Sequence, residues 1–340
     1  MNASALGKLS ALPRVRLAHF PTPLEPLTGV SRVLGGPSLF VKRDDCTGLA
    51  LGGSKVRKLE YSLGGAVAAG SDVVLVSGSI QSNQARLVAC AAARLGLRCV
   101  ALLEERLDDM PGGYRYSGNV LLDRLFGAEV RIYPKGTDLD AEVDRAAEQI
   151  RAAGSNAAVV RGGAPEPHGV VGYAAGALEL FQQAAERELR VDAVVMASES
   201  AGLQAGFLAG CRALDARTRV LGVSAKRTAA AMEASVHALA VRTTAFLGLD
   251  HPVPREAVEV DDRFVGSGYG YPASSTIEAM AVAARHDGLV LDPVYAGKAF
   301  AGLIAAVRER RFRAGDNVVF LHSGGAPLLF AYAERLDALE

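Results

Sequence analysis

The chain has 340 residues, which is longer than one ordinary compact core requires, so two packed lobes are expected. Half of the residues are hydrophobic and 22% are charged, a globular composition that excludes a disordered chain. The 37 basic and 37 acidic residues give a formal net charge of zero, which argues against binding to nucleic acid or an anionic membrane and favours a small neutral substrate.

Short β-branched runs alternate with Ala/Leu/Arg-rich helical stretches along the chain. We predict strands at 73–78, 98–105, 128–133, 156–162, 192–198, 219–225 and 317–324, with helices between them, for example at 84–96, 141–154 and 176–189. Strands that are apolar on both faces and alternate with helices indicate parallel sheets covered on both sides. No Pro/Gly linker separates two domains, so the lobes are expected to interleave along the chain.

The spacing of the cysteines and the length of the apolar runs indicate the cellular compartment. The four cysteines form no CxxC pair and show no zinc-like spacing, so no metal site is predicted. No apolar run approaches the roughly 18 residues that span a bilayer, and no signal-peptide pattern is present. We therefore expect a reduced, cytoplasmic protein without a membrane partner.

Three Gly/Ser-rich turns follow predicted strands, at 78–83, 199–206 and 323–327. In open α/β sheets, ligands collect at the carboxyl ends of strands. The three turns therefore predict one shared pocket.

Lys55 stands apart from the charged residues around it. It follows a Gly-Gly-Ser segment (52–54) at a presumed helix entry, where a lysine is poorly placed for the helix dipole. The neighbouring Arg57, Lys58 and Glu60 fit a solvated helix start with i,i+4 ion pairs. Spacing alone leaves a solvated and a catalytic Lys55 both open.

Two strand-to-helix loops offer anion sites. Ser82, Asn83 and Gln84 stand at cap positions, where they either cap the helix or bind a carboxylate with its first N–H groups. The 199–206 loop offers unpaired amides and the Ser200 hydroxyl, which is phosphate-binding chemistry, although no P-loop GKS or GKT follows. Tyrosines in the turns at 266–272 and 291–298 are either packing residues or acid/base groups.

Several short segments occur in a recognisable order over nearly the whole chain: FPTPLEPL (20–27), KRDDCTGL, GGSKVRKLE, IQSNQAR, GNVLLDRLFGA, GYGYP, LDPVYAGKAFAGLI and HSGGAP. Together they resemble the D-cysteine desulfhydrase / 1-aminocyclopropane-1-carboxylate (ACC) deaminase family of tryptophan-synthase-β-like pyridoxal-phosphate (PLP) enzymes. The resemblance implies fold type II, with two open, twisted, parallel-type sheets covered by helices. It also implies a large domain at 1–65 and 180–340, a small domain at 66–179, an active site in the cleft between them, and a homodimer.

The resemblance further implies roles for individual residues. Lys55 matches the lysine that holds PLP as a Schiff base, and Asn83 matches the residue facing the 3′-oxygen of the cofactor. Ser82, Asn83 and Gln84 match the loop that grips the carboxylate of a small amino-acid substrate, and Ser82 matches a serine that contacts or activates substrate. The phosphate-binding loop is matched by Ser200, Ala201, Gly202 and Leu203, the two active-site tyrosines by Tyr269 and Tyr295, and the position near the pyridine nitrogen by Ser323.

The chemistry implied is α,β-elimination from a β-substituted alanine. PLP takes up electrons from the substrate and makes its Cα proton acidic, and Lys55 as a free amine can remove that proton. A leaving group on Cβ then departs, and hydrolysis gives pyruvate and ammonia. A hydroxyl rather than a carboxylate at the pyridine nitrogen favours prompt elimination over transamination.

Two positions favour desulfhydrase-like elimination within the family. Ala296 and Ser323 stand where ACC deaminases typically have Glu and Leu. Against this, Gln84 follows Ser-Asn as in ACC deaminases, where desulfhydrases usually have His. ACC ring opening, a cysteate sulfo-lyase-like reaction, an unusual amino-acid substrate and a non-enzymatic PLP-binding regulator stay open as alternatives.

Five residues depart from the family pattern. Ser54 replaces an asparagine, Leu203 replaces a threonine hydroxyl, and Glu199 adds a carboxylate beside the phosphate loop. Losing one charge-assisted hydrogen bond would weaken PLP binding by roughly 1.5–3 kcal/mol. Glu166 and His168 stand where relatives have small polar residues, which predicts a reshaped substrate pocket.

Overall fold

The structure is a computed structural model, and it describes residues 3–110, 112–163 and 165–336. Residues 1, 2, 111, 164 and 337–340 fall within the predicted domain ranges but lie outside the described residues.

Ten strands form two separate sheets within the described chain. The strands are β1 (Leu24–Pro26), β2 (Ser38–Arg43), β3 (Val73–Ser79), β4 (Arg98–Glu104), β5 (Glu129–Tyr133), β6 (Ala157–Val160), β7 (Ala193–Ser198), β8 (Arg219–Ser224), β9 (Glu259–Asp261) and β10 (Asn317–His322). The seven predicted strands are all present, and β1, β2 and β9 are additional.

Helices cover these sheets. They are α1 (Ala3–Ala11), α2 (Thr28–Leu34), α3 (Lys55–Ala68), α4 (Asn83–Leu95), α5 (Gly118–Leu125), α6 (Leu139–Ala152), α7 (Pro167–Ala185), α8 (Gly202–Leu214), α9 (Ala229–Phe246), α10 (Ser274–Asp287), α11 (Ala296–Arg308) and α12 (Ala326–Phe330). None of these helices combines the length and the apolar run that crossing a lipid bilayer requires.

The larger sheet has the order β1-β2-β10-β7-β8-β9, and the smaller sheet has the order β5-β4-β3-β6. Every pairing is parallel except that of β1 with β2. The larger sheet draws its strands from both ends of the chain, so the lobes interleave. The predicted α/β class with two helix-covered, parallel-type sheets is therefore confirmed.

The predicted domain ranges stay a prediction. The strands of the smaller sheet all fall between 73 and 160, inside the predicted small domain. Helix α7, which the prediction assigns mostly to that domain, packs against α3 and α8.

The interpretation of Arg57, Lys58 and Glu60 as solvated is wrong. These side chains are buried, with exposed fractions of 5%, 7% and 1%. Arg57 Nη2 donates to Asp44 at 2.7 Å and to Glu179 at 3.0 Å. Because Glu179 lies 122 residues away in the sequence, local charge spacing could not reveal this burial.

Candidate active site

Two adjoining cavities of about 580 and 890 Å³ form one cleft between the sheets. Both cavities are lined by Lys55, Asn83, Glu199, Ser200 and Tyr295. The other predicted site residues that line the cleft are Ala201, Leu203 and Ser323 in the first cavity, and Ser82, Gln84 and Tyr269 in the second. Gly202 is buried at the first position of α8, between two lining residues. The structure thus brings the predicted residues together.

Lys55 begins α3 and lines both cavities of the cleft. Burial lowers the pKa of its amine, and the nearby charge of Arg86 acts in the same direction, whereas Glu199 and Asp292 oppose it. A lowered pKa enlarges the neutral fraction of the amine at neutral pH. Lys55 is therefore suited to nucleophilic attack and to accepting a proton.

A tight backbone contact fixes Ser323 opposite Lys55. The Ser54 N–H donates to the Ser323 carbonyl at 2.9 Å. Buried His322, whose pKa burial lowers, accepts the Gly324 N–H on Nδ1 at 3.2 Å. Gly324 has a φ of +87°, and a Cβ there would lie 2.6 Å from Gly53 Cα. Only glycine fits this approach.

The loop after β7 offers several groups that can bind an anion. Ala201 adopts a left-handed φ of +64° and caps α8, whose first N–H groups have no acceptor within the helix. Ser198 Oγ is buried and lacks a hydrogen-bond partner among the described residues. Burial lowers the pKa of Lys58 to about 7, with Lys55 acting in the same direction and Glu199 opposing. Amides, a hydroxyl and a buried amine are the groups that bind a phosphate.

The start of α4 offers further groups suited to an anion. Ser82 Oγ accepts the Ala85 N–H at 3.1 Å, so Ser82 does cap the helix. The backbone N–H groups of Asn83 and Gln84, in the first turn of α4, have no acceptor within the helix, and such groups can bind a carboxylate. The Gln84 side chain donates to the Arg161 carbonyl at 3.0 Å and so ties α4 to the end of β6. The backbone of Gln84 is therefore available to a substrate.

Two neighbouring tyrosines line the second cavity of the cleft. Their hydroxyls, on Tyr269 and Tyr295, lie 2.5 Å apart, and Ser79 Oγ lies 3.2 Å from that of Tyr269. Burial raises the pKa of both tyrosines, so they stay protonated at neutral pH. Lys226 Nζ and Arg106 Cζ lie 5.6 and 5.9 Å from the centre of the Tyr269 ring. The pair can donate a proton rather than remove one.

The departures from the family pattern have different outcomes. Glu199 does line the cleft, so its carboxylate does not point away from it. Glu166 instead pairs with Arg242 at 2.5 Å on the surface, and His168 Nε2 bonds to the Tyr61 carbonyl at 2.9 Å. Neither residue is among those that line the two described cavities, so their effect on the substrate pocket stays a prediction.

Sequence reasoning missed three residues that line the cleft, Arg86, Arg106 and Lys226, and two that lie behind its lining, Lys58 and Asn119. Lys58 follows Lys55 by three positions and so shares its helix face, a signal that the solvated interpretation overlooked. Arg86 and Asn119 lie within the segments IQSNQAR and GNVLLDRLFGA, but no role was assigned to them. Nothing in the sequence around Arg106 or Lys226 indicated that these residues line the cleft.

A known protein family and two sequence relatives match nearly the whole chain. A family model described as "Pyridoxal-phosphate dependent enzyme" matches residues 15–324. The chain is 40% identical over 332 residues to a D-cysteine desulfhydrase of Klebsiella pneumoniae, covering 98% of this chain and 100% of that one. It is 39% identical over 327 residues to a D-cysteine desulfhydrase of Salmonella typhi, covering 96% and 98%.

Solved structures agree with the sequence relatives. A crystal structure described as an ACC deaminase homologue matches with a TM-score of 0.89 at 32% identity and full coverage of both chains. O-ureido-L-serine synthase matches with a TM-score of 0.65 at 18% identity over 92% of each chain, which shows the fold alone. The match runs from Val15 to Gly324 and takes in Lys55 and every residue that lines the two cavities except Gly325. This chain therefore belongs to the pyridoxal-phosphate dependent enzymes.

Proposed function

We propose that this enzyme catalyses α,β-elimination from a β-substituted alanine, with D-cysteine as its first candidate substrate. With cysteine and one water, the products are pyruvate, ammonia and hydrogen sulfide. The observation that carries the proposal is the Lys55 amine, whose pKa burial lowers, in a cleft that the first residues of α4 and the loop before α8 also line. The names of the relatives at about 40% identity support D-cysteine.

The residues around the cleft fit PLP. Lys55 offers an amine for the aldehyde of the cofactor, and the α8 entry offers amides for its phosphate. The unpartnered, buried Ser198 hydroxyl is one donor that such a phosphate would satisfy. Asn83 and Ser323 line the same cavity, and they are the residues proposed to face the 3′-oxygen and the pyridine nitrogen.

Each group then has a defined task. Bound PLP supplies the electron sink that makes the substrate Cα–H acidic. The α4 entry holds the substrate carboxylate through the N–H groups of Asn83 and Gln84. Lys55 accepts the Cα proton on Nζ. The protonated hydroxyls of Tyr269 and Tyr295 donate to the departing β-substituent.

Ring opening of ACC is the second candidate, since Gln84 and the ACC deaminase homologue both favour it. The position after Tyr295 weighs against it. Ala296 there is buried, and its N–H donates to Asp292 at 2.9 Å, so no carboxylate stands where ACC deaminases typically have Glu.

The deciding experiment offers D-cysteine, L-cysteine, β-chloroalanine, cysteate and ACC to the PLP-loaded enzyme and measures pyruvate and 2-oxobutyrate. We expect pyruvate from D-cysteine and little 2-oxobutyrate from ACC. Lys55→Ala should form neither product, whereas the exposed Lys135→Ala should behave as wild type. Robust ACC turnover without pyruvate from any alanine derivative would refute the proposed reaction.

Assembly and location are proposals that rest on the family resemblance. We propose a cytoplasmic homodimer. The exposed apolar side chains Leu121, Leu125 and Phe330, on the contacting helices α5 and α12, support a partner surface.

A further inference from the structure

The side chain of Asn83 is fixed by two buried neighbours. Asn119 Nδ2 donates to Asn83 Oδ1 at 2.9 Å, and Arg86 Nη1 donates to the same oxygen at 3.3 Å. Because that oxygen receives both donors, the amide nitrogen of Asn83 is left for the cleft that the residue lines. An amide N–H there can donate to an oxygen of a ligand.

Arg86 also joins the two sides of the site. Its Nη1 donates to Asn119 Oδ1 at 2.8 Å, and its Nη2 donates to the Gly52 carbonyl at 2.6 Å. Gly52 lies three residues before Lys55. One guanidinium therefore connects α4, which carries Asn83, with the loop that leads to the lysine.

The charge of Arg86 has no hydrogen-bonded carboxylate among the described residues. Arg86 is fully buried, its acceptors are all neutral, and its Nε has no partner. Burial raises the pKa of neighbouring Asp123 to about 8, so that carboxyl is mostly protonated at neutral pH. The carboxylate of Asp292 accepts three backbone N–H groups at the start of α11. A buried cation in this position is stabilised when an anion binds beside it.

We propose that Arg86 is a positioning residue that, with Asn119, directs the amide of Asn83 at the 3′-oxygen of bound PLP and stabilises negative charge on that oxygen. This inference rests on the proposed function, because it takes Lys55 and Asn83 as the residues that flank the cofactor. An ionised 3′-oxygen gives lysine-bound PLP its visible absorption, whereas a neutral one shifts absorption to the near ultraviolet. Removing the charge of Arg86 therefore changes a spectrum that is recorded without substrate.

The experiment compares the absorption spectra and PLP dissociation constants of wild type, Arg86→Gln, Arg86→Lys and Arg94→Gln. Arg94 is a matched control, since it lies about two turns further along α4 and donates to the Leu17 carbonyl at 3.1 Å. In Arg86→Gln the visible absorption band should be replaced by a near-ultraviolet band, and PLP should bind at least roughly tenfold more weakly. Arg86→Lys, which keeps the charge, should retain the visible band, and Arg94→Gln should match wild type.

A folded Arg86→Gln protein with a wild-type spectrum would overturn the proposal. If Arg86→Gln does not fold, Asn119→Ala decides, because a shift to the near ultraviolet supports the proposal and an unchanged spectrum overturns it. A wild type that binds PLP but forms no pyruvate would contradict the proposed reaction, while the spectral comparison would still report on Arg86.

Discussion

Lys58 should make cofactor binding depend on pH. Burial lowers the pKa of its amine to about 7, and a phosphate dianion bound beside it raises that pKa again. Binding then takes up a proton wherever the empty protein holds Lys58 neutral. The empty protein is half protonated at Lys58 near pH 7 and about 1% protonated near pH 9, so phosphate affinity should fall by ~50-fold, or ~2.3 kcal/mol, between these two values.

Pyridoxine 5′-phosphate isolates this effect, because it carries the phosphate but has no aldehyde to react with Lys55. Calorimetric titration near pH 7 and near pH 9 should show the weakening in wild type, with proton uptake visible as a dependence on buffer ionisation heat. Lys58→Met should bind weakly with little pH dependence, and Lys135→Met, at an exposed lysine that lines neither cavity, should keep the wild-type slope. A pH-independent wild-type affinity, or an unchanged slope in Lys58→Met, would refute the role of Lys58.

Two further predictions concern the frame of the site. Arg57→Met removes the cation paired with buried Asp44, while Glu179 keeps its pairing with Lys42, and should lower the free energy of unfolding in urea by ~3–5 kcal/mol. Arg263→Met, at a half-exposed arginine, should change that free energy by less than ~1 kcal/mol. Equal effects would contradict the buried network. Gly324→Ala brings a Cβ within 2.6 Å of Gly53 Cα and should weaken PLP binding, measured by fluorescence, by roughly 5- to 150-fold from ~1–3 kcal/mol of strain. Gly315→Ala, which meets open space, is its control, and the same loss there would argue against a contact-specific effect.

The success of the strand predictions depended on apolar content. Strands β3 and β7 are buried at every position, so the sequence alone identified them. Strands β1 and β9 have three residues each and include charged ones, too few for a periodic signal. Strand β2 contains Lys42, whose ammonium is buried against Glu179 at 2.5 Å. Because Glu179 lies on α7, the sequence around β2 could not show that the Lys42 charge is buried.

The site was predictable where short ordered segments carried it. Lys55, Asn83 and the tyrosine pair were placed by resemblance, and the structure brings them into one cleft. The surroundings of these residues were not predictable, because they depend on contacts between segments that are distant in the sequence. Arg86 reaches Gly52, 34 residues away, and only the folded chain shows that its charge lies behind Asn83.

The choice between lysine and arginine around the cleft follows from what each cation has to do. Burial can neutralise an amine by lowering its pKa, so Lys55 can act as a nucleophile and Lys58 can take up a proton when a dianion binds. A guanidinium resists this change, and Arg86 stays charged at neutral pH although burial lowers its pKa to about 10. Arg86 therefore suits a permanent positive charge beside the 3′-oxygen. A group that gave a proton to that oxygen would neutralise it and weaken the electron sink. Glu199 opposes the effect of burial on the pKa of both lysines. Its carboxylate would repel a bound phosphate, but it also helps Lys58 to gain the proton whose charge attracts that phosphate.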